Sequence, residues 1–254
     1  MADFLSFRMV TSAFSFIFAS FNNIKAKIMT NASEIKAILD YLAAIRSNNN
    51  REWFTANRAW YDEIRSVFEA MTARLILRIG TFDETVLSQT AKSCLYRFNR
   101  DTRFSPDKSP YKTHLGAYIN AKGKKANHGG YYFHLEPGNC LLAGGSYCLP
   151  TPVLRAVREA IADEPEEYRS IVENPEFKRL YPVIGEAWLK KLPQSFPKDF
   201  PYPDYLRCKD YSCSYRVADN WLAADDWLDK TEAAFRVLKP FLDFVNRAID
   251  DFEE

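Results

Sequence analysis

The chain lacks a strong charge of either sign. Its 254 residues include 34 Lys and Arg against 33 Asp and Glu, which gives a formal net charge of +1. A chain with this balance has no overall field that would attract it to nucleic acid or to an anionic membrane. We therefore expect no membrane partner. Nucleic acid is not the expected partner either, although the basic run "KGKKANH" at 122–128 keeps that possibility open.

The chain also lacks the cysteine patterns of zinc fingers and disulfide frameworks. Its five cysteines are odd in number and form no Cys-x-x-Cys pair: Cys94, Cys140, Cys148, Cys208 and Cys213. This spacing disfavours both metal-finger proteins and disulfide-rich secreted domains. A reducing cytoplasm is the expected location.

Long apolar runs and nucleotide-binding motifs are missing as well. The apolar run at 13–21 is far shorter than the roughly 20 residues that span a bilayer. No small-x-small cleavage site follows it, so we interpret 1–29 as an N-terminal extension, with Met29 as the native start, rather than as a secretory signal. The chain contains no nucleophile elbow, Walker motif or dinucleotide fingerprint, and we expect no cofactor.

Hydrophobic periodicity predicts helices in the first and last thirds of the chain. Apolar residues recur there at steps of three and four, which places them on one face of a helix. The predicted helices are 33–46, 51–79, 151–163, 165–173, 175–181 and about 225–252. No repeat or low-complexity tract interrupts them, so we expect residues 30–254 to form a single domain.

Between 94 and 148 the hydrophobic period changes to 2, which is typical of strands. The predicted strands lie near 94–104, 114–120, 130–137 and 140–148. Their short connections indicate an antiparallel arrangement, and the Pro- and Tyr-rich stretch 192–216 is predicted to be a covering loop. The expected fold is therefore α+β, with an antiparallel β-meander of about four or more strands over 94–148, packed against the N-terminal and C-terminal helices.

Charge is concentrated in the segment "RFNRDTRFSPDKSPYKTH" at 97–114. Residues 97–125 contain eight Lys and Arg but two Asp, whereas the chain from Val217 onward contains ten Asp and Glu but four Lys and Arg. Guanidinium and ammonium groups that converge on one point bind phosphate or carboxylate groups. We predict a small anionic, phosphate-bearing ligand at this segment. The predicted ligand-binding residues are Arg100, Arg103, Lys108, Tyr111, Lys112 and Tyr132.

The same charges permit a structural interpretation. Strand alternation places Arg100 on the apolar face of its predicted strand, where an unpaired charge would be costly. Asp101, Asp107 and Glu136 are available partners, so the motif can be a salt-bridge clamp that locks the loop to the sheet. In that case the protein is a non-enzymatic binding or interaction protein.

Polar side chains alternate along the segment "GYYFHLEP". Tyr132, His134 and Glu136 fall on one face of this predicted strand. His134 is a candidate general base and Glu136 its orienting partner, which leaves hydrolysis or group transfer open and enzymatic activity undecided. Alternatively, the two residues are metal ligands, with His114 or Asp101 as a third. We expect no metal, because alternating polar residues often produce a His-x-Glu step in strands.

Four segments together carry a resemblance to a known family. They are "NNNREWFTANRAWYDEI" (48–64), "RFNRDTRFSPDKSPYKTHLGAYI" (97–119), "GGYYFHLEPG" (129–138) and "LKKLPQSFPKDFP" (189–201). Over about residues 32–250 the chain resembles the uncharacterised conserved-protein family called domain of unknown function 2461. The resemblance implies a soluble α+β domain of unknown function.

Overall fold

Helices make up both ends of the part of the chain that can be described. The computed structural model describes residues 31–254, so the extension expected over 1–29 lies outside the described residues. Ten α-helices occur in this part: α1 (Asn31–Ser47), α2 (Arg51–Ala56), α3 (Arg58–Ile79), α4 (Ala91–Cys94), α5 (Thr151–Asp163), α6 (Pro165–Val172), α7 (Pro175–Leu180), α8 (Pro203–Arg207), α9 (Asp219–Leu222) and α10 (Trp227–Glu253). Five of the six predicted helices agree with these bounds to within two residues.

The remaining predicted helix, 51–79, is divided into α2 and α3, because the helix is interrupted at Asn57. Asn50 caps α2, where its side-chain oxygen accepts a hydrogen bond from the backbone nitrogen of Trp53 at 2.8 Å. At the other end the Asn57 amide donates to the carbonyl oxygen of Trp53 at 2.9 Å. Asparagine competes in this way with the helical hydrogen bonds of the backbone. The apolar spacing continues on both sides of Asn57, so the pattern alone does not show the break.

Four strands form one antiparallel sheet in the order β1-β2-β3-β4. They are β1 (Leu115–Ile119), β2 (Gly130–Leu135), β3 (Cys140–Ser146) and β4 (Tyr211–Val217). Each neighbouring pair is antiparallel. The predicted α+β class, with an antiparallel sheet flanked by N-terminal and C-terminal helices, is confirmed.

The composition of the sheet differs from the prediction at both edges. The strand expected over 94–104 is wrong, since this segment makes only isolated bridges from Leu95 to Ala117 and from Asn99 to Tyr111. Of the apolar residues that alternate along it, Phe98 is buried, whereas Tyr96 and Phe104 are exposed. The fourth strand is β4, which lies in the stretch expected to be a loop. The prolines of that stretch all precede β4.

The inner face of the sheet packs against helices α3 and α10. Phe133 of β2 stacks on Phe68 of α3 and on Trp227 of α10, with ring centroids 6.1 and 5.7 Å apart. Tyr131 contacts Phe235 of α10 at 5.4 Å. All five side chains are nearly fully buried, so the main core lies between this face and the two long helices.

The opposite face of the sheet, here called the outer face, is more open. The strand register places on it Gly116, Tyr118, Tyr132, His134, Leu141, Ala143, Ser214 and Arg216. Ser214 and Arg216 are exposed, and Leu141 and Ala143 are half-buried. Polar residues of β1 and β2 therefore lie together on a partly accessible surface.

Membrane-spanning helices are not found among residues 31–254. In this described part of the chain, the helices do not combine the length and the apolar character that crossing a bilayer requires.

Candidate functional site

The centre of the site is a short chain of polar side chains along β2. The Tyr132 hydroxyl lies 2.9 Å from Nδ1 of His134, and Nε2 of His134 lies 3.4 Å from Oε2 of Glu136. His134 is buried, whereas Tyr132 and Glu136 are half-buried. Alternation along a strand explains this grouping, because every second side chain points to the same face. The structure thus brings the predicted pair His134 and Glu136 together with Tyr132.

The Glu136 carboxylate is held in place by two further hydrogen bonds. Thr113 donates to Oε1 and the Asn139 amide donates to Oε2, both at 2.7 Å. Burial by itself would raise the pKa of Glu136, but the hydrogen bonds from Asn139, Thr113 and His134 together lower it. Glu136 is therefore a fixed, ionised carboxylate at neutral pH.

His114 lies beside His134. The two imidazole rings stack with centroids 4.6 Å apart and an angle of 29° between planes. Burial lowers the pKa of both rings, and that of His114 falls to about 4. One nitrogen of each ring and a carboxylate oxygen of Glu136 all lie within 4.8 Å of one another. These three residues can offer donors to a metal ion, whereas Asp101, the other proposed third ligand, is paired with Arg103.

A glycine of β1 makes room for the Tyr132 hydroxyl. Gly116 pairs with His134 in the register of β1 and β2. A Cβ atom at position 116 would lie 2.6 Å from the Tyr132 hydroxyl oxygen, which is closer than such contacts allow. Sequence reasoning missed Gly116, because a glycine inside a short strand does not reveal which side chain occupies the space above it.

Positive charge surrounds Tyr96, which packs edge-on against Tyr132 at 6.1 Å between centroids. The ammonium groups of Lys112 and Lys124 lie 5.3 and 5.4 Å from the centre of the Tyr96 ring. Burial lowers the pKa of Lys112, and the nearby charges of Arg97 and Lys124 lower it further. Within residues 31–254, Lys112 forms no ion pair with a carboxylate, whereas Arg97 lies close enough to Asp101 to lower the pKa of that carboxyl.

The charged groups of the loop at 100–109 are paired with one another instead. Arg100 forms an ion pair with Asp107, and Arg103 pairs with Asp101 at 2.7 Å. Lys108 donates to the carbonyl oxygen of Thr102 at 2.9 Å. In the described part of the chain, no hydrogen bond or ion pair connects these three cations to Tyr132, His134 or Glu136. Because 94–104 is not a strand, Arg100 does not lie on an apolar strand face; its side chain is 26% exposed.

Tyr111 has a different environment from the other predicted ligand-binding residues. Its ring is buried and stacks on Phe54 of α2, with centroids 4.1 Å apart. The Asn49 side chain binds both the backbone nitrogen and the backbone oxygen of Tyr111, at 3.1 and 2.9 Å. These contacts fix the end of the loop to the start of α2, and so set the position of Lys112.

The basic run at 122–128 faces the acidic end of α10. Lys122 forms an ion pair with Asp250, and the Asn127 amide donates to Glu253 at 3.0 Å. His128 is buried, with Nε2 3.0 Å from the same Asp250. Lys124 donates to the carbonyl oxygen of Leu95. Two of the three lysines in the run are therefore engaged inside the molecule.

Two hollows open elsewhere on the molecule. One of about 650 Å³ is bordered by α7 and α10 and includes Tyr215 and Trp221. The other, of about 530 Å³, includes Tyr168, Trp188 and Tyr205. Neither hollow is lined by Tyr132, His134 or Glu136.

Together the fold and the site define an α+β protein whose antiparallel sheet carries a Tyr-His-Glu chain and a group of cations on its outer face. The chain belongs to the family described as conserved hypothetical protein (DUF2461), whose model matches residues 37–244. No curated protein and no solved structure matches the chain. The family description names no activity.

Proposed function

We propose that the protein binds a small anionic, phosphate-bearing ligand at the outer face of the sheet. The observation that carries the proposal is the group of cations around Tyr96. Lys112 is half-buried without a carboxylate partner in the described part of the chain, and Arg97 and Lys124 lie close enough to lower its pKa. An anion placed among them would stabilise all three charges.

The free-energy cost of placing like charges together favours an anion-binding site over an accidental cluster of cations. Holding like charges together at a partly buried position is unfavourable unless a counter-charge is supplied. Glu136, the carboxylate beside His134, is already bound by Thr113 and Asn139. Phosphate is a suitable counter-charge, because its oxygens accept charge-assisted hydrogen bonds from Lys and Arg.

In this proposal Lys112 and Arg97 bind the phosphate and the Tyr132 hydroxyl orients it. Arg100, Arg103 and Lys108, which the sequence places among the ligand-binding residues, instead hold the loop in shape through their internal partners. Tyr111 anchors the loop in the core. The backbone nitrogen of Lys112 donates to the carbonyl oxygen of Phe98 at 2.9 Å, which further fixes the position of its side chain.

The same surface offers a route for proton transfer. If Nε2 of His134 donates to Glu136, then Nδ1 is free to accept the proton of the Tyr132 hydroxyl. Glu136 would then orient the ring and stabilise its charge, as an orienting partner does for a general base. This arrangement suits hydrolysis or transfer of a group bound beside Tyr132.

A thermal-shift panel of inorganic phosphate, nucleotides and sugar phosphates tests the proposal, with EDTA present throughout. A ligand at 100-fold its dissociation constant adds about 2.7 kcal/mol to the free energy of unfolding. Lys112→Met removes the charge but keeps the aliphatic stem, and it should abolish the shift. Lys108→Met, in the same loop, is the matched control and should retain it. Loss of the shift in the Lys108 variant alone would contradict the proposal.

The second candidate is a non-enzymatic interaction protein in which the loop is only a clamp. The pairs Arg100–Asp107 and Arg103–Asp101 favour it. It predicts that no phosphate compound shifts the unfolding temperature. If the partner is nucleic acid bound through its backbone, the affinity should fall steeply with salt concentration, and a flat salt response would exclude that partner.

A further inference from the structure

We propose that His114, His134 and Glu136 form a binding site for one first-row divalent transition-metal ion, of which Zn²⁺ is the best probe. The proposal goes beyond ligand binding, since it rests on the three donor groups and not on the cations around Tyr96. His114 immediately precedes β1, His134 lies in β2 and Glu136 immediately follows β2, and their donor atoms converge within 4.8 Å.

The spacing of the donors is close to that of a metal site. Two ligands of a tetrahedral zinc ion with bonds of about 2.1 Å lie about 3.4 Å apart. Nε2 of His134 and Oε2 of Glu136 are 3.4 Å apart. This is long for a hydrogen bond to a carboxylate, so the pair is not placed for the strongest direct hydrogen bond. The donor atom of His114 lies within 4.8 Å of the other two, so each of its distances has to shorten by at most about 1.4 Å to reach the 3.4 Å spacing.

Partners that orient the ligands are already in place. A metal-binding histidine is usually fixed by a hydrogen bond from its other ring nitrogen, and a metal-binding carboxylate is itself hydrogen-bonded. Nδ1 of His134 lies 2.9 Å from the Tyr132 hydroxyl oxygen, to which it can donate. Thr113 and Asn139 hold the two oxygens of Glu136. Two of the three ligands therefore have their orienting partners without rearrangement.

The donor types define the class of metal. Imidazole nitrogens together with one carboxylate suit zinc and its first-row neighbours, whereas Mg²⁺ and Ca²⁺ prefer oxygen ligands alone. Three protein ligands leave at least one coordination position open to water or to a bound molecule. The site is thus of the open kind found in catalytic zinc proteins rather than the closed kind that stabilises folds.

Nearby positive charge sets a limit on the affinity. Lys112 and Arg216 lie close enough to His134 to disfavour a positive charge on its ring, and they also repel a bound cation. Glu136 attracts the cation in return. We therefore expect weaker binding than at a closed four-ligand zinc site.

Equilibrium dialysis of the EDTA-treated full chain against Zn²⁺ in phosphate-free buffer tests the site. We expect one saturable Zn²⁺ per chain. His114→Asn and Glu136→Gln should each abolish this binding, while circular dichroism confirms that both variants are folded. Cys148→Ser is the control, because Cys148 is the exposed cysteine and the other four are buried; it should bind as the wild type does.

A paramagnetic ion gives an independent readout on the unmodified chain. The chain has three histidines, and bound Co²⁺ should broaden the imidazole signals of His114 and His134 well before those of the buried His128. Absence of saturable binding, binding that survives both ligand substitutions, or binding lost only in Cys148→Ser would each overturn the proposal. Because phosphate binding is measured with EDTA and metal binding without phosphate, either proposal can fail while the other stands.

Discussion

The residue with the clearest single role in holding the outer face together is Tyr118. Its hydroxyl lies 3.0 Å from the carbonyl oxygens of both His128 and Gly145. It therefore links the loop before β2 to the end of β3. Burial raises the pKa of Tyr118 to about 12, since an ionised phenol would lose solvation there.

This environment predicts a defined dependence of stability on pH. Between about pH 10 and 12 the unfolded chain loses the Tyr118 proton while the folded chain keeps it, so stability from this group is complete below pH 10 and is lost as the pH rises, by about 1.4 kcal/mol per unit. Tyr118→Phe should cost about 1–3 kcal/mol at pH 7. Urea unfolding should show that this difference shrinks at pH 11. A difference that stays constant with pH would contradict the assignment.

For single residues, the sequence could predict which side chains are neighbours along one strand, but not which residues from distant segments come into contact. The grouping of Tyr132, His134 and Glu136 follows from alternation in a strand. Alternation does not predict how the two lysines of the loop differ. Lys108 binds a backbone oxygen, whereas Lys112 has no carboxylate partner in the described chain. This difference depends on where the loop returns to the core at Tyr111.

Among the elements, the pairing of β3 with β4 depends on one glycine. Gly145 has a φ of +113°, and a Cβ atom there would lie 2.1 Å from the carbonyl oxygen of Tyr211 on β4. The outer face therefore needs glycine at this point both for the backbone conformation and for the close approach of the neighbouring strand.

Two glycine variants separate these two requirements. Gly123 also has a positive φ, +83°, but a Cβ atom at this position would have no neighbouring atom within 4 Å, so Gly123→Ala should cost only the conformational strain, about 1–2 kcal/mol. Gly145→Ala should cost clearly more, because the β4 backbone must also move. The free energy of unfolding in urea measures both. Equal losses would show that the β3–β4 approach is not tight.

The elements also show why the sequence pattern fails at the sheet edges. In β4, buried Tyr211, Cys213 and Val217 alternate with exposed Ser214 and Arg216, so the period of 2 is present. The proline-rich sequence before it obscures the signal. In contrast, the alternation over 94–104 belongs to a segment that forms isolated bridges only, with Phe98 buried but Phe104 exposed, and periodicity does not distinguish the two cases.

Across the whole molecule, the net charge is balanced, but two basic regions differ in whether acidic residues neutralise them. The basic run at 122–128 meets the acidic end of α10 through Lys122, Asn127 and His128. In the described chain, Lys112 and Lys124 beside Tyr96 form no ion pair with a carboxylate, and Arg97 lies close enough to Asp101 to lower the pKa of that carboxyl. The proposal of a phosphate ligand is supported by this excess of positive charge around Tyr96 and not by the net charge of the chain.

The α+β class and most helix bounds could be predicted at this scale, because they depend on patterns within each segment. The assembly of the site could not be predicted from the sequence. It requires the loop 95–114, the strand β2 and the run at 122–128 to meet around Tyr96, and these contacts are set by the packing of the sheet on α3 and α10. That residues 30–254 form a single domain stays a prediction.

The imidazole signals of the three histidines provide the most direct test of the central claim, that an anionic ligand binds at the outer face. His114 and His134 lie in the site, and His128, buried against Asp250, is an internal control. In metal-free buffer at constant pH, titration with a phosphate compound should shift the signals of His114 and His134 saturably in the wild type but not in Lys112→Met, while His128 stays unchanged. If no phosphate compound moves His114 or His134, or if His128 moves equally, the account is contradicted.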